Sequence, residues 1–407
     1  MPMARYIQVA APLLAASLLA STPIFADSQS ADIRLRYIGQ NVIPTGTLFG
    51  DIEFGGISGI DRVEDGSRYG SYYAISDDRG GERGMPRFYQ LSLEYDGNGF
   101  YGATLYRQVF MKRPDGTHFP ADARTVDPEG IRVAPNGNLY WSSEGNWNAD
   151  PALRHQPFVR EMRPDGRFVR EFRTPAMFDY MDNATWGARS NKVFEALAVA
   201  PRRPFWRPGR ASHLLFTANE DALIQDGELT SLKAGSRVRV TALDPLTANA
   251  RAQYVYELPP IPKAPTEAPG FMDNGLPELL ALSDRAFIAL ERGFASGPGN
   301  TLRLALASTE CATDVLRLPS LVDARYVPMH KRYLLDFDEL KAQYGLTLDN
   351  AEGLSWGHRL ANGNRTLIVV ADNNFSTAQA TQFIAFEVIA TPRQGKPDMR
   401  CRPRPAR

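Results

Sequence analysis

Acidic residues recur at two positions of a pattern that this chain repeats five times. In the second copy, Glu129 starts a short apolar stretch, Asn136-Gly137 forms a turn, and Glu144 follows the next apolar stretch. The first-position acids are Glu129, Glu195, Glu278 and Glu352, with Gly55 in their place in the first copy. The second-position acids are Asp77, Glu144, Glu220, Glu291 and Asp372. Local turn bonding does not explain a glutamate at the same place in four copies, so we interpret the set as a binding site.

Carboxylates that converge need a positive partner, since two of them about 4 Å apart repel by about 4 kcal/mol at the effective dielectric of a protein surface. Calcium is the favoured partner, because it binds about six to eight oxygen ligands in irregular geometry. Arginine is an alternative, as Arg79 and Arg292 flank acids in the sequence. Protonation of one acid in a close pair is another. A plainer interpretation is that each acid bonds backbone amides at its own turn.

The apolar stretches read as pairs of short strands joined by tight turns, which is the pattern of a β-hairpin. The start of the first strand and the end of the second then lie at the same end of the sheet. We therefore expect all nine acids at one end of the fold.

The repeat predicts a β-propeller. Aligning Gly55, Glu129, Glu195, Glu278 and Glu352 gives spacings of 74, 66, 83 and 74 residues. A unit of about four strands that recurs at such a period is typical of propeller blades, whose first strands line the central channel. The first-position acids are then nearest the axis, with the second-position acids outside them. A β-sandwich with long insertions would accommodate the strands but would not explain their repetition.

The number of blades and the closure of the ring are further expectations. Five copies are recognisable, and the interval 301–349 has room for a sixth. That interval also contains a predicted short helix at 336–344, which begins with acidic residues and ends before Gly345. The fifth copy has only three strands of its own. We expect the N-terminal strand at 33–38 to supply the fourth and close the ring, which removes a free sheet edge.

Residues 1–26 read as a secretory signal peptide, which leaves 27–407 as a single propeller domain. The apolar run at 6–19 is shorter than the roughly 20 residues of a membrane-spanning helix. We therefore expect an exported protein, periplasmic or secreted, with no integral membrane segment after cleavage. A disulfide between the two cysteines, Cys311 and Cys401, would suit an oxidising compartment.

The overall charge is balanced, so any electrostatic function must come from local clustering of charges. The chain has 46 basic and 46 acidic residues, so no global field marks a protein that binds nucleic acid. We expect a small-molecule partner and a monomeric protein.

Several stretches together resemble the phytase-like family, also called "esterase-like activity of phytase", of exported bacterial proteins. They are 57–79 with Ser-Asp-Asp-Arg, 127–146, 194–200 with Asn219-Glu220, 276–294 with Leu-Pro-Glu and Glu-Arg-Gly-Phe, and 350–375 with Ala-Glu-Gly-Leu and Ala-Asp-Asn-Asn. The resemblance implies a propeller-like fold and an ester- or phosphoester-hydrolysing role. The acids that it implies as site residues are Asp77, Asp78, Glu129, Glu144, Glu195, Glu220, Glu278, Glu291, Glu352 and Asp372.

Three functions follow from these observations. The first is a calcium-dependent hydrolase of phosphate mono- or diesters, in which a carboxylate takes the proton of a calcium-bound water. Its catalytic residues would be Glu129 and Glu352, with Arg79 or Arg292 neutralising the developing charge. The second keeps the calcium and changes the substrate to a carboxylic ester or lactone. The third is a non-enzymatic secreted propeller in which calcium is structural, since one fold hosts many functions.

Overall fold

The computed structural model describes residues 31–66, 70–79, 83–202 and 212–392. The predicted signal peptide lies outside these residues. Cys311 is disulfide-bonded, and Cys401, the partner that the sequence offers, is also outside the described residues. No helix among the described residues has the length and apolar character needed to cross a membrane.

Five four-stranded antiparallel sheets, blades I to V, form the body of the described chain. They are preceded by β1 (Ala31–Pro44) and by a small hairpin of β2 (Leu48–Phe49) and β3 (Ile52–Glu53). Blade I contains β4 (Ile57–Val63), β5 (Ser71–Ser76), β6 (Arg87–Tyr95) and β7 (Phe100–Phe110). Blade II contains β8 (Pro128–Val133), β9 (Leu139–Ser143), β10 (Phe158–Met162) and β11 (Phe168–Glu171).

The remaining blades follow in chain order. Blade III contains β12 (Phe194–Arg202), β13 (Ser212–Asn219), β14 (Arg237–Asp244) and β15 (Asn249–Glu257). Blade IV contains β16 (Met272–Ala281), β17 (Ala286–Ala295), β18 (Gly299–Ser308) and β19 (His330–Asp336). Blade V contains β20 (Asn350–Trp356), β21 (Arg365–Asp372), β22 (Ala380–Pro392) and β1. Short 3-10 helices lie at Pro151–Leu153, Ala176–Phe178 and Ile224–Asp226.

The first strands of the five blades form a ring. Strand β4 contacts β8 and β20, β12 contacts β8 and β16, and β16 contacts β20. The predicted propeller with five four-stranded blades is therefore confirmed. The interval in which a sixth blade was considered instead supplies β19, the outer strand of blade IV, and the helix α1 (Phe337–Tyr344).

Strand β1 closes the ring, as the sequence predicts. It pairs with β22 in antiparallel register from Ala31 opposite Pro392 to Pro44 opposite Ala380. Apolar side chains of β1 enter the core, and Ile33 is only 2% exposed. The last blade is thus completed by the first strand, so the two ends of the described chain are held together.

Helix α1 confirms the predicted short helix and its two end signals. The side chain of Asp336 accepts a hydrogen bond from the Asp338 amide at the N-terminus. Gly345 follows the last helical residue with a φ of 65°, a left-handed conformation that glycine adopts at little cost. The helix packs through Phe337 and Leu340 on the apolar core between blades IV and V.

Candidate metal centre

A β-bulge in the first strand of each blade lies at or beside the first-position residue. The antiparallel register shifts at Ser58 in β4, at Glu195 in β12 and at Glu352 in β20, and corresponding shifts occur beside Glu129 and Glu278. A bulge adds a residue to one strand and re-aims its side chain. In blades I, II, III and V the first-position residue is therefore freed from the strict alternation of its strand, whereas Glu278 follows the bulge of β16 and pairs with Leu290.

Blade I carries serine at this position, which corrects the alignment on Gly55. Ser58 occupies the bulge of β4, and its hydroxyl donates a hydrogen bond of 3.0 Å to Glu352 Oε2 of blade V. Gly55 lies earlier and packs so closely on Asn373 that a Cβ there would be 2.3 Å from its Oδ1. The bulge residue is not visible from sequence spacing, because strand pairing alone defines it.

The tightest acidic group lies in blade II. One carboxylate oxygen each of Asp127, Glu129 and Glu144 lies within 4.8 Å of the others, and all three residues are buried. Oxygens bound to one calcium ion at about 2.3–2.6 Å are separated by no more than about 5 Å, so this spacing fits a single cation.

Glu144 has an oxygen without a protein partner. Its Oε1 accepts a 2.5 Å hydrogen bond from the Val193 amide, whereas its Oε2 is buried and has no hydrogen-bond partner among the described residues. A buried carboxylate oxygen is costly unless something positive satisfies it. The all-oxygen donor set and this oxygen together fit a hard cation such as calcium.

The pKa values of this group are shifted by burial and by neighbouring charge. Burial, followed by the charge of Glu195, raises the pKa of Glu129 well above its usual range. Burial and the charges of Asp127 and Glu220 raise the pKa of Glu144 to about 8. Burial and Glu144 likewise raise the pKa of Glu195. Near neutral pH these acids therefore either retain protons or share a cation.

Arg79 and Arg292 both lie at the site. The Nε of Arg79 is 2.9 Å from Asp127 Oδ1, and the Arg79 side chain is 30% exposed to solvent. Arg292 is more deeply placed and bridges two blades. Its Nη2 contacts Glu220 Oε1 at 2.8 Å, and its Nη1 donates to Glu352 and to Asn350.

Two residues of the site were absent from the sequence-based set. Asp127 stands two residues before Glu129, and this second acid before the strand was a signal that could have identified it. Lys192 lies 2.6 Å from Glu220 Oε2 and 2.5 Å from Asp273 Oδ2. No repeat or motif marks Lys192, because it belongs to the loop between blades II and III.

The blade V side of the site contains Asp372. It pairs with Asn350 across β20 and β21, and its Oδ2 accepts a 2.9 Å hydrogen bond from the Asn374 amide. Its Oδ1 is buried and has no hydrogen-bond partner among the residues described. Burial and the charge of Glu352 raise the pKa of Asp372 well above its usual range.

Asp77 directly follows β5 of blade I. Blade I lies between blade II, which carries Glu129, and blade V, which carries Glu352. The Asp77 Oδ1 is so close to Gly56 that a Cβ there would be 2.1 Å away, and the Asp77 amide donates to the Gly56 carbonyl. The structure thus brings together seven of the ten predicted acids: Asp77, Glu129, Glu144, Glu195, Glu220, Glu352 and Asp372.

Asp78 and Glu291 are not part of this group, contrary to expectation. Asp78 forms a fully buried salt bridge of 2.6 Å with Arg87 at the start of β6. Glu291 accepts hydrogen bonds from Tyr256, Lys331 and Tyr333 toward the outer strands. The physical reason is that β17 continues past Glu291, so alternation sends Arg292 to the site and Glu291 to the opposite face.

Glu278 is also held away from the group, by partners in blades II, III and IV. Arg132 of blade II reaches across to Glu278 of blade IV and also donates a 2.7 Å hydrogen bond to the Ile60 carbonyl. Glu278 Oε1 further accepts bonds of 2.9 Å from the amides of Leu197 and Leu279. This carboxylate is therefore satisfied by the protein's own donors.

Comparisons with known proteins give one family match. The family model described as Phytase-like, "Esterase-like activity of phytase", matches residues 52–375. No curated protein matches the chain. Among solved structures, the chain is similar to an N-acetylgalactosamine deacetylase from F. plautii in complex with blood group B trisaccharide, at 9% identity and a TM-score of 0.37, covering 89% of this chain and 96% of that chain. It is also similar to the Dos1 propeller, at 8% identity and a TM-score of 0.27, covering 81% and 68%.

Proposed function

Because this chain belongs to the phytase-like family described by its esterase-like activity, we propose that it is a calcium-dependent hydrolase of phosphate mono- or diesters. The reaction takes place at the acidic end of the propeller ring. The observation that carries the proposal is the group of Asp127, Glu129 and Glu144, with its buried and unpartnered Glu144 Oε2. We also propose that the protein is exported, which the N-terminal apolar run supports.

Asp127, Glu129 and Glu144 would hold the calcium ion through carboxylate oxygens. A bound calcium ion supplies Lewis acidity, which polarises a phosphoryl oxygen and lowers the pKa of a bound water. Glu195 is placed to accept the proton of the attacking water, because it lies beside Glu144 and its carboxylate accepts no hydrogen bond from the described residues. Glu352 is less suited to this role, since Arg292, Asn350 and Ser58 already donate to it.

Arg79 and Arg292 differ in what they contribute. Arg79 is partly exposed beside Asp127, so it can bind the non-bridging oxygens of an arriving phosphate. Arg292 holds Glu220 and Glu352 in place, and its positive charge stabilises negative charge that develops nearby. Both guanidiniums keep their charge at any physiological pH.

A carboxylic ester or lactone is the second candidate substrate, and the family's description as esterase-like favours it. The same site can polarise a carbonyl oxygen as well as a phosphoryl oxygen. Parallel assays on a nitrophenyl phosphodiester, a nitrophenyl carboxylic ester and a lactone separate the two substrate classes. Turnover of the carboxylic ester alone would replace the phosphate proposal.

The test compares Glu129→Gln/Glu144→Gln with the wild type on the phosphodiester, before and after chelation of calcium. We expect chelation to abolish turnover, added calcium to restore it, and the double substitution to lower kcat/KM by about 100-fold or more. Glu161→Gln is the matched control, because Glu161 is a buried glutamate of β10 that Asn136, Asn138 and Arg170 satisfy. Activity that survives both chelation and the double substitution contradicts the proposal.

A further inference from the structure

Two acceptors hold the side chain of Arg79. Its Nε lies 2.9 Å from Asp127 Oδ1, and its Nη2 donates a 2.8 Å hydrogen bond to Asn191 Oδ1. Neither contact engages Nη1, which has no hydrogen-bond partner among the described residues. The two N–H groups of Nη1 therefore remain for the oxygens of a ligand at this partly exposed guanidinium.

Asn191 belongs to the linker between blades II and III, and contacts with the site fix the backbone of this linker. Lys192 Nζ lies 2.6 Å from Glu220 Oε2, and the Val193 amide donates a 2.5 Å hydrogen bond to Glu144 Oε1. Asn191 itself adopts a φ of 56°, a left-handed conformation that asparagine tolerates better than most residues. The linker thus presents Asn191 Oδ1 as an acceptor at a fixed place.

The two acceptors differ in charge, and Asn191 is the one that leaves the charge of Arg79 intact. Asp127 is an acid, and in the proposed function it also binds calcium. The amide of Asn191 is neutral, so it orients the guanidinium without cancelling its positive charge. An arginine that is already held loses less conformational freedom when a ligand binds to it. Asn191 therefore preorganises Arg79 for an anion.

We propose that Asn191 is a positioning residue that holds the Arg79 guanidinium for a phosphate group and so favours phosphate esters over neutral carboxylic esters. This inference rests on the proposed function, in which Arg79 binds the non-bridging oxygens. A phosphodiester is negatively charged before it reacts, whereas a carboxylic ester or lactone acquires charge only in the transition state. Asn191 should therefore affect the binding of phosphate esters, and it should do so through Arg79.

The test is the affinity of the calcium-loaded protein for dimethyl phosphate, a small phosphodiester, measured by ligand-observed NMR titration. The kcat and KM for the nitrophenyl phosphodiester are measured in parallel. We expect Asn191→Gly to raise both the Kd and the KM by about five- to tenfold and to change kcat by less than about twofold. Asp323→Gly is the matched control, because Asp323 is an exposed residue with a φ of 57° between β18 and β19. It should change none of these values.

The same substitution in an Arg79→Gln background shows whether Asn191 acts through Arg79. With the guanidinium absent, Asn191→Gly should have no further effect on the Kd. A general disturbance of the linker would instead weaken binding equally in both backgrounds. Glycine adopts a φ of 56° at little cost, so Asn191→Gly should fold, and a thermal melt of each variant checks this.

The outcomes separate this inference from the proposed function. An unchanged Kd in Asn191→Gly, or an equal loss of affinity in the Arg79→Gln background, overturns the role of Asn191 and leaves the hydrolase proposal to its own turnover assay. A wild type that does not bind dimethyl phosphate overturns this inference as well. Turnover of the carboxylic ester alone would refute the proposed function, and dimethyl phosphate binding that depends on Asn191 would still support its role.

Discussion

At the scale of single residues, the site depends on how a few cations are shared among many acids. Arg292 contacts Glu220 and Glu352 from different blades, and Lys192 contacts the other oxygen of Glu220. Arginine suits this role because its planar guanidinium presents several donors in fixed directions. The pKa of Glu220 is lowered despite burial, because Lys192 and Arg292 both act on it.

Replacing Arg292 by methionine should destabilise the protein strongly. Arg292→Met keeps much of the side-chain volume but leaves Glu352 buried without its ion pair, which costs about 3–5 kcal/mol. Urea unfolding measures the free energy of unfolding of the variant and the wild type. Arg34→Met is the control, since the Arg34 side chain is 79% exposed, and its effect should stay within about 0.5 kcal/mol. A loss below about 1 kcal/mol for Arg292→Met would contradict the shared ion pair.

Glu278 should make stability depend on pH. Burial, partly offset by Arg132, raises the pKa of Glu278 to about 7 from an ordinary value of 4.5. The folded state then binds the proton more tightly than the unfolded state. The stabilising contribution is fully present below about pH 4.5 and is lost as pH rises to about 7, at up to about 1.4 kcal/mol per pH unit.

The comparison with Glu278→Gln isolates this contribution. Other acids of the ring titrate in both proteins, so the difference between the two curves of unfolding free energy against pH reports Glu278 alone. We expect the wild type to lose stability relative to Glu278→Gln between pH 4.5 and 7. Glu278→Gln also removes the charge that faces Arg132. This changes the unfolding free energy by an amount that does not vary with pH in this range, because Arg132 stays charged. Parallel curves would show that Arg132 fully compensates the burial of Glu278.

At the scale of elements, close approach of the first strands determines where their acids lie. A Cβ on Gly59 of β4 would be 2.5 Å from the Glu129 carbonyl oxygen and 2.9 Å from the Ile131 amide. Gly130 makes a similar approach to Leu197 of the next blade, at 2.6 Å from its Cβ. Glycine beside the bulge thus lets neighbouring blades pack backbone to backbone, which no larger residue permits.

Gly59→Ala should therefore push β4 away from β8 and disturb Glu129. Because the contacts are with backbone atoms, they cannot be relieved by a rotamer change, and we expect a loss of about 1–3 kcal/mol in unfolding free energy. Calcium affinity should fall as well, since Glu129 belongs to the blade II group. Gly102→Ala in β7 is the control, as a Cβ there meets nothing within 4 Å. Equal stability of the two variants would contradict the close packing.

At the scale of the whole molecule, stability depends on closing the ring with a strand from the other end of the chain. Ile33 of β1 packs in the apolar core shared by blades IV and V, which includes Ile288, Leu354 and Phe386. Through this core the N-terminal strand contributes to packing as well as to hydrogen bonding with β22.

Ile33→Ala should destabilise the folded protein by about 2–5 kcal/mol, because it leaves a cavity in that core. The measurement is chemical unfolding followed by far-ultraviolet circular dichroism. Arg34→Ala at the neighbouring, outward-facing position should change stability by no more than about 0.5 kcal/mol. If Ile33→Ala has no greater effect than Arg34→Ala, closure by β1 is not what holds the last blade.

The sequence by itself determined the propeller, its strand pairs, the closing strand, the helix before blade V and the end at which the acids gather. These features follow from local signals, namely alternation, turn residues and a repeat spacing, which act over a few residues or recur at a fixed period. Hairpin geometry then places Glu129 and Glu144 at one end without any knowledge of packing.

Only the tertiary structure decided which acids converge and which are satisfied elsewhere. A shift of one residue in a strand turns a side chain to the opposite face. Bulges and strand ends therefore determine whether the side chains of Ser58, Glu291 and Arg292 face the site or point away from it. Glu278 is withdrawn by an arginine 146 residues away in sequence, and Lys192 enters from a loop that carries no repeat signal. Such partners come together through packing of distant blades, which local sequence spacing does not encode.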